Sequence, residues 1–338
     1  MGQIFMTAAN AVLPIVLLIL LGYFLKQIGF FNKEFLAVGN KLVFKICLPM
    51  TLFMSVYSIE SLRDVRWDVV LYCVVLTLLI FALGLVTALR TTKVIARRGV
   101  MVQCIFRSNF AIIGLPLAVS VGGDQAEAVA AVVTAFVVPL FNVLAVIALS
   151  VFDDRQKNHN VGAVVLNILK NPLILGIAAA FVCQLIRQAQ VSLLGRTVFT
   201  LQDQLPFLYK VMSQLKSITT PLALMVLGGQ FVFSAAKGMM KEIVIGTVWR
   251  VVIAPVIGVG VAVLLTRYTG LIQFGTNEYP ALVGLFGSPV AVSSAIMAKQ
   301  MGADDQLATQ YVVWTSICSM VTVFLLVSAM IAMGLLAG

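Results

Sequence analysis

Residues 69–89 run for twenty-one positions without a charged side chain, and windows of the same kind recur along the chain. A helix of about 20 apolar residues crosses the roughly 30 Å hydrocarbon core of a bilayer. The run is too long for a barrel strand of about ten residues, and the apolar–polar alternation that a barrel needs is absent. Lipid offers backbone groups no partners, so a helix, which satisfies them within the segment, is the structure left. Hydrophobic residues make up 61% of the chain and charged ones 11%, against about 45 to 50% and about 25% in soluble domains.

Low-charge windows predict spans over 5–25, 36–58, 68–89, 100–121, 127–151, 163–186, 211–234, 242–266, 279–299 and 306–336. The expected fold class is all-α integral membrane, with about ten transmembrane helices and almost no chain left for a soluble domain. No Lys or Arg precedes the first window, so it lacks the charged start of a cleaved signal peptide and reads as a retained span.

The net charge of +10 suggests a nucleic-acid partner until the positions of the charges are read. With the N-terminus outside, the inward connections hold twelve Lys and Arg, among them Lys93, Arg97, Arg98 and Lys241. The outward ones hold six, among them Arg66 and Lys210. Such an excess marks cytoplasmic loops. The expected partner is the lipid bilayer of the inner or plasma membrane, with both termini outside the cytoplasm and no nucleic acid. The five cysteines have no CxxC spacing, and His159, the sole histidine, sits in the polar stretch 153–160. Neither pattern predicts a metal site or a cofactor. No set of acid, base, nucleophile and metal is visible, and the serines have no histidine partner in the membrane, which argues against an enzyme.

Two proline-centred segments match at five of seven positions: Gly114-Leu-Pro116-Leu-Ala-Val-Ser120 and Gly287-Ser-Pro289-Val-Ala-Val-Ser293. They fall in the fourth and ninth windows, each followed by an acidic turn (Asp124 and Glu127; Asp304 and Asp305) and then a long apolar span. Pro14 and Pro172 hold matching places in windows one and six, as do Pro49 and Pro221 in windows two and seven. An odd number of helices per repeat turns the second copy upside down. The expected organisation is a five-helix repeat over 1–152, a cytoplasmic linker over 153–162 and an inverted repeat over 163–338.

Proline inside a helix removes a donor and clashes with the preceding turn, at roughly 3 kcal/mol. A pair of prolines in equivalent spans, each two residues after a glycine, predicts broken, crossing helices four and nine, with Gly114, Pro116, Gly287 and Pro289 at the crossover. Broken helices expose backbone groups and half-helix N-termini whose partial positive charge suits an anion. Arg107, Ser108 and Asn109 precede the first break, and Ser288, Ser293 and Ser294 surround the second. These six are the candidate substrate-binding residues. Arg107 either faces protein or water, or snorkels to the cytoplasmic end; residue types alone leave both open. Lys41, Lys45 and Arg250 are further cations in or near spans, and no Asp or Glu lies deep in a window. That balance favours a small organic anion over a cation and argues against a carboxylate proton relay.

At these residues the chain resembles the auxin efflux carrier family, which includes plant auxin carriers and bacterial permeases for malate and malonate. The likeness is carried by Asn109-Phe-Ala-Ile-Ile-Gly114-Leu-Pro116, by Pro289 through Ala298-Lys299 before an acidic turn, and by Lys170-Asn171-Pro172. The resemblance implies a ten-helix fold with two crossovers, a scaffold part and a moving transport part, a homodimer, and a carboxylate near the crossovers in contact with Asn109. Ser293 and Ser294 depart from it, since many bacterial relatives have Asn at the first and plant carriers a second Pro at the other. The expected function is thus a secondary transporter of mono- or dicarboxylates by alternating access, through an elevator-like displacement. An anion channel lined by Arg107 and Lys45, and a sodium-coupled symporter on a related fold, are the alternatives.

Overall fold

The computed structural model describes residues 2–57, 66–153, 166 and 169–336. Apart from Asp153 the expected linker 153–162 lies outside them, as does His159. The described chain is helical, with one isolated antiparallel bridge, Ser108 to Val290, and no strand among those residues. Among the described residues six helices are long and apolar enough to cross a membrane: Lys33–Met54, Trp67–Thr91, Gln125–Val151, Pro172–Leu194, Met240–Thr269 and Asp305–Ala332.

In chain order, α1 is Gly2–Gln27; α2 (Lys33–Leu42) and α3 (Leu48–Tyr57) follow, joined by the wide turn Val43–Cys47. Next come α4 (Trp67–Thr91) and α5 (Ile95–Phe106). The helical run that continues to Val151 is interrupted at Gly123, whose φ of 66° is a left-handed conformation open to glycine, and this separates α6 (Phe110–Gly123) from α7 (Gln125–Val151). The second half holds α8 (Pro172–Leu194), α9 (Pro206–Gln230), α10 (Met240–Val248) and α11 (Ala254–Leu264), then α12 (Glu278–Gly287), α13 (Ser293–Gln300) and α14 (Asp305–Ala332).

The sixth predicted window, 163–186, is displaced: α8 begins at Pro172 and runs to Leu194. Proline fits the first helical position, where its missing donor is unneeded. Asn171 Oδ1 accepts the Leu173 amide at 3.0 Å, fixing the helix start in a way hydropathy does not register.

Proline also acts differently from expectation inside the spans. Pro49, Pro116 and Pro255 each stand two residues after a wide, π-type turn, over Val43–Cys47, Phe110–Gly114 and Trp249–Ile253. The residue before each proline donates to the carbonyl five positions back instead of four, as Leu115 does to Phe110. Widening the turn is one recognised way a helix accommodates a disturbance of its hydrogen-bond ladder. Pro116 is therefore carried inside a helix, and the break in the first segment lies earlier, at Arg107 to Asn109. Pro289 does stand in the break of its own segment, within the non-helical link between α12 and α13.

Small residues let the helices meet at backbone distance. A Cβ on Gly228 of α9 would strike the Ile19 carbonyl of α1, and one on Gly22 the Met225 carbonyl of α9. Across the molecule a Cβ on Gly176 of α8 would lie 2.7 Å from the Pro49 carbonyl oxygen of α3. At the centre Gly114 and Gly284 are reciprocal, each so close to the other's carbonyl that neither position admits a side chain. A Cβ on Gly287 would meet only ordinary contacts, at 3.5 Å from Val323 and Leu326. The helices sort into a layer of α1, α2, α3, α8 and α9, and a larger group of α4 to α7 with α10 to α14.

Charges gather at the two ends of that larger group. At one, Arg97 donates to Glu242 at 3.0 Å and to Asp304 at 2.9 Å, tying α5 to α10 and to the start of α14. At the other, Arg66 donates to Glu278 at 3.1 Å and to Asp68 at 2.6 Å, tying α4 to α12. Because α4 separates Arg66 from Arg97, the two networks sit at opposite ends. Replacing Gly228 by Val should force α1 and α9 apart and lower stability by roughly 1–3 kcal/mol. Thermal denaturation of the detergent-purified protein, against a Gly238→Ala control at a position with open space, checks this.

Candidate functional site

Two interrupted helices meet in the middle of the fold. The α5 helix stops at Phe106 and α6 begins at Phe110, while α12 stops at Gly287 and α13 begins at Ser293. The two links pair as a minimal antiparallel bridge in which the Asn109 amide donates to the Pro289 carbonyl at 2.7 Å. The Val290 amide finds Thr315 Oγ1 of α14 at 3.1 Å. Each interruption otherwise strands carbonyls at one helix end and N–H groups at the next.

The stranded carbonyls converge on one side chain. Arg250, 1% exposed, donates from Nη1 to Ile105 O at 3.2 Å and to Phe106 O at 3.1 Å. Its Nη2 donates to Phe286 O. A guanidinium thereby caps the C-termini of α5 and α12 together, each end carrying a partial charge of about −0.5. No carboxylate is needed, because the helix ends supply the counter-charge. From the sequence alone Arg250 reads only as a cation in or near a span.

The N-terminal ends of α6 and α13 open instead on a cavity of about 620 Å³, in the range of small-molecule sites. It is lined by Arg107, Ser108, Asn109 and Ser293, by α7 residues including Thr134 and Asn142, and by Thr51, Lys216 and Thr219 from the facing layer. Its lining contains two cations, Arg107 and Lys216, and no Asp or Glu. Arg107 is 2% exposed, so it faces protein rather than snorkelling. Its Nη1 donates to Gln103 Oε1 at 2.9 Å and Met297 Sδ at 2.8 Å, and its Nη2 to Asn142 Oδ1 at 2.6 Å and Ser293 Oγ at 2.7 Å. Every acceptor is neutral, so the charge is held in place but not cancelled. Two buried polar atoms on the wall, Ser108 Oγ and Asn109 Nδ2, have no partner in the structure, a state that normally costs about 1–3 kcal/mol per group.

Four of the six candidate binding residues thus share one cavity, and two do not. Ser288 Oγ donates to Gly284 O at 2.6 Å, closing the last turn of α12. Ser294 is buried behind the cavity wall with its hydroxyl unpartnered. Lys45, the partner of Arg107 in the channel alternative, is exposed and does not line the cavity. Asn142, Thr51, Thr219 and Lys216 were not singled out from the sequence. A signal existed for each: Asn142 is an amide deep in an apolar span, the threonines stand two residues from Pro49 and Pro221, and Lys216 is the sole charge in the window 211–234. The described residues hold no cluster of His, Cys, Asp and Glu able to bind a metal.

A helical chain with several spans long enough for a bilayer, built around two interrupted helices and a central, mostly apolar cavity with a few polar groups, has the architecture of a membrane transporter. Residues 7–327 match the family model described as membrane transport protein. The chain belongs to this family, that of the auxin efflux carriers, which is a transporter rather than an enzyme family. It is also 25% identical, over 259 residues, to an uncharacterized transporter from Methanocaldococcus jannaschii, covering 74% of this chain and 77% of that one.

Removing the Arg250 head group leaves three carbonyls of two helix ends unpaired. Arg250→Met should therefore destabilise the fold by several times the roughly 1–3 kcal/mol cost of one buried orphan. The expected readout is loss of a monodisperse peak in detergent size exclusion, with Arg250→Lys recovering only part of it because an ammonium lacks the planar fork.

Proposed function

We propose that the chain is a secondary carrier of small organic anions, carboxylates above all, which bind where the N-termini of α6 and α13 face Arg107, Ser108 and Asn109. The observation that carries this reading is the cavity itself: both charges on its wall are positive, and two donors there are buried without acceptors. A carboxylate supplies acceptors to both donors and a negative charge to both helix ends.

The packing supports an inverted repeat of ten spans. If spans one to five correspond to six to ten, the α1–α9 contact at Gly22 and Gly228 is the counterpart of the α8–α3 contact at Gly176 and Pro49. The crossing of α6 and α12, which meet at Gly114 and Gly284, is then a helix pair that maps onto itself, spans four and nine exchanging places, though not residue for residue. The ion pairs fit the same operation: Arg97 with Glu242 joins spans four and eight, and Glu278 with Arg66 joins nine and three, the signs exchanged. Such symmetry gives one site two equivalent exits.

The cavity lies on the seam between the two helix groups, Thr51, Lys216 and Thr219 on one side and the crossover on the other. An elevator-like slide of the larger group past the layer of α1, α2, α3, α8 and α9 would carry the site across the membrane, with that layer as scaffold and dimer contact. The Lys and Arg bias supports a cytoplasmic Arg97 end and both termini outside.

Uptake of labelled malonate, malate and other short carboxylates, and of indole acetate, into proteoliposomes tests the reading, with imposed sodium and proton gradients reporting coupling. Saturable uptake of one acid is expected, and uptake of none by folded protein refutes the proposal. Asn109→Ala removes a donor to a charged ligand, worth about 1.5–3 kcal/mol, and should weaken apparent affinity by about ten- to a hundredfold; unchanged kinetics would remove Asn109 from the site.

A further inference from the structure

Lys216 takes no part in holding the fold together: it makes no hydrogen bond or ion pair with the described residues, and it is exposed on the cavity wall. Its position follows from helical spacing. Lys216, Thr219, Thr220 and Ala223 line the cavity at i, i+3, i+4 and i+7, which is one face of α9. That face looks across the seam at the crossover. The hydroxyl of Thr219, one turn along, contacts that of Thr51 at 2.9 Å, so the wall beside Lys216 is polar and already tied between α9 and α3.

The two cations of the cavity therefore differ in kind. Arg107 is immobile, its guanidinium held by four neutral acceptors from α5, α7 and α13. Lys216 is an unpaired ammonium on a flexible stem, reaching in from the other helix group. A ligand with one negative charge, seated at the crossover, satisfies the helix ends and Arg107 and leaves Lys216 without a partner. A ligand with a second acidic group that reaches the α9 wall satisfies both.

Resting on the carboxylate reading above, we propose that Lys216 is a specificity-determining residue that reads a second acidic group, so that the site prefers dianions to monoanions and its bound substrate bridges the two helix groups. The contact is made by the layer that carries α9 and the rest by the group that carries the crossover. A displacement of one past the other breaks the Lys216 contact and leaves the others intact. Dianion preference is then a property of one orientation of the carrier, the one in which Lys216 faces the crossover.

The test uses the full chain in proteoliposomes and a pair of probes of nearly equal size, a diacid and its monomethyl ester. Labelled malonate or malate serves as substrate, whichever the wild type accumulates, and competition by the unlabelled diacid is compared with competition by the ester. The wild type should prefer the diacid by about tenfold or more, the worth of one charge-assisted contact. Lys216→Gln should bring the ratio close to one while uptake of a monoacid persists, and Lys216→Arg should keep most of the preference. An unchanged ratio in Lys216→Gln, or equal loss for both probes, overturns the proposal. So does a wild type that accumulates a monoacid but neither diacid, a result that leaves the carboxylate reading standing. Uptake of no carboxylate at all by folded wild type sinks that reading first, and the inference with it.

Discussion

A helix interrupted inside a protein leaves up to four carbonyls at one end and four N–H groups at the other without intrahelical partners. In a membrane protein water cannot be relied on to meet them. Here the interruption happens twice at nearly the same point in space, so the two sets of orphans help to solve each other. The links pair with one another through Asn109 and Pro289, and Arg250 takes the carbonyls at the ends of α5 and α12. What remains are two half-helix N-termini and the side chains beside them. The candidate site is the residue of that solution: the carbonyl ends are closed by protein, and the amide ends open on the cavity.

The close approach that makes this possible depends on atoms that are missing. Gly114 and Gly284 bring α6 and α12 to backbone contact, and any Cβ there would hold the links too far apart to pair. Glycine is used similarly where α1 meets α9 and α8 meets α3. Without water, association of helices relies on such van der Waals contact rather than on hydrophobic exclusion. The charged networks of Arg66 and Arg97 stay at the ends of the larger helix group, where desolvation is least costly, and the interior cations are supported by carbonyls, amides and hydroxyls instead.

Much of this was legible in the sequence. Long uncharged runs gave the helical class and, among the described residues, the six helices long and apolar enough to span, and the matching segments around Pro116 and Pro289 pointed to the helices that do come together. The site was partly legible: Arg107, Ser108, Asn109 and Ser293 adjoin the proline motifs and do line the cavity. The misses have physical causes. Pro116 suggested a break, but a wide turn accommodates it, and no local signal tells a broken ladder from a widened one. Gly284, the true partner of Gly114, lies outside the matched segment because crossing geometry, and not repeat register, decides which glycines touch. The start of α8 was misplaced because hydropathy is blind to a cap. Asn142 and Lys216 belong to spans without a motif, and only their isolation among apolar neighbours marks them.

The capping of two helix ends by Arg250 separates what holds the fold from what lines the cavity. Arg250 contacts backbone carbonyls alone, and its partners do not depend on which side chains face the cavity. The wall residues on α3, α7 and α9 take no part in that closure. New specificities usually arise at some cost in stability, but a substitution on the α3 or α9 part of this wall leaves the hydrogen bonds of the crossover untouched. A lineage carrying this scaffold can exchange one cargo for another without first passing through a form that fails to fold.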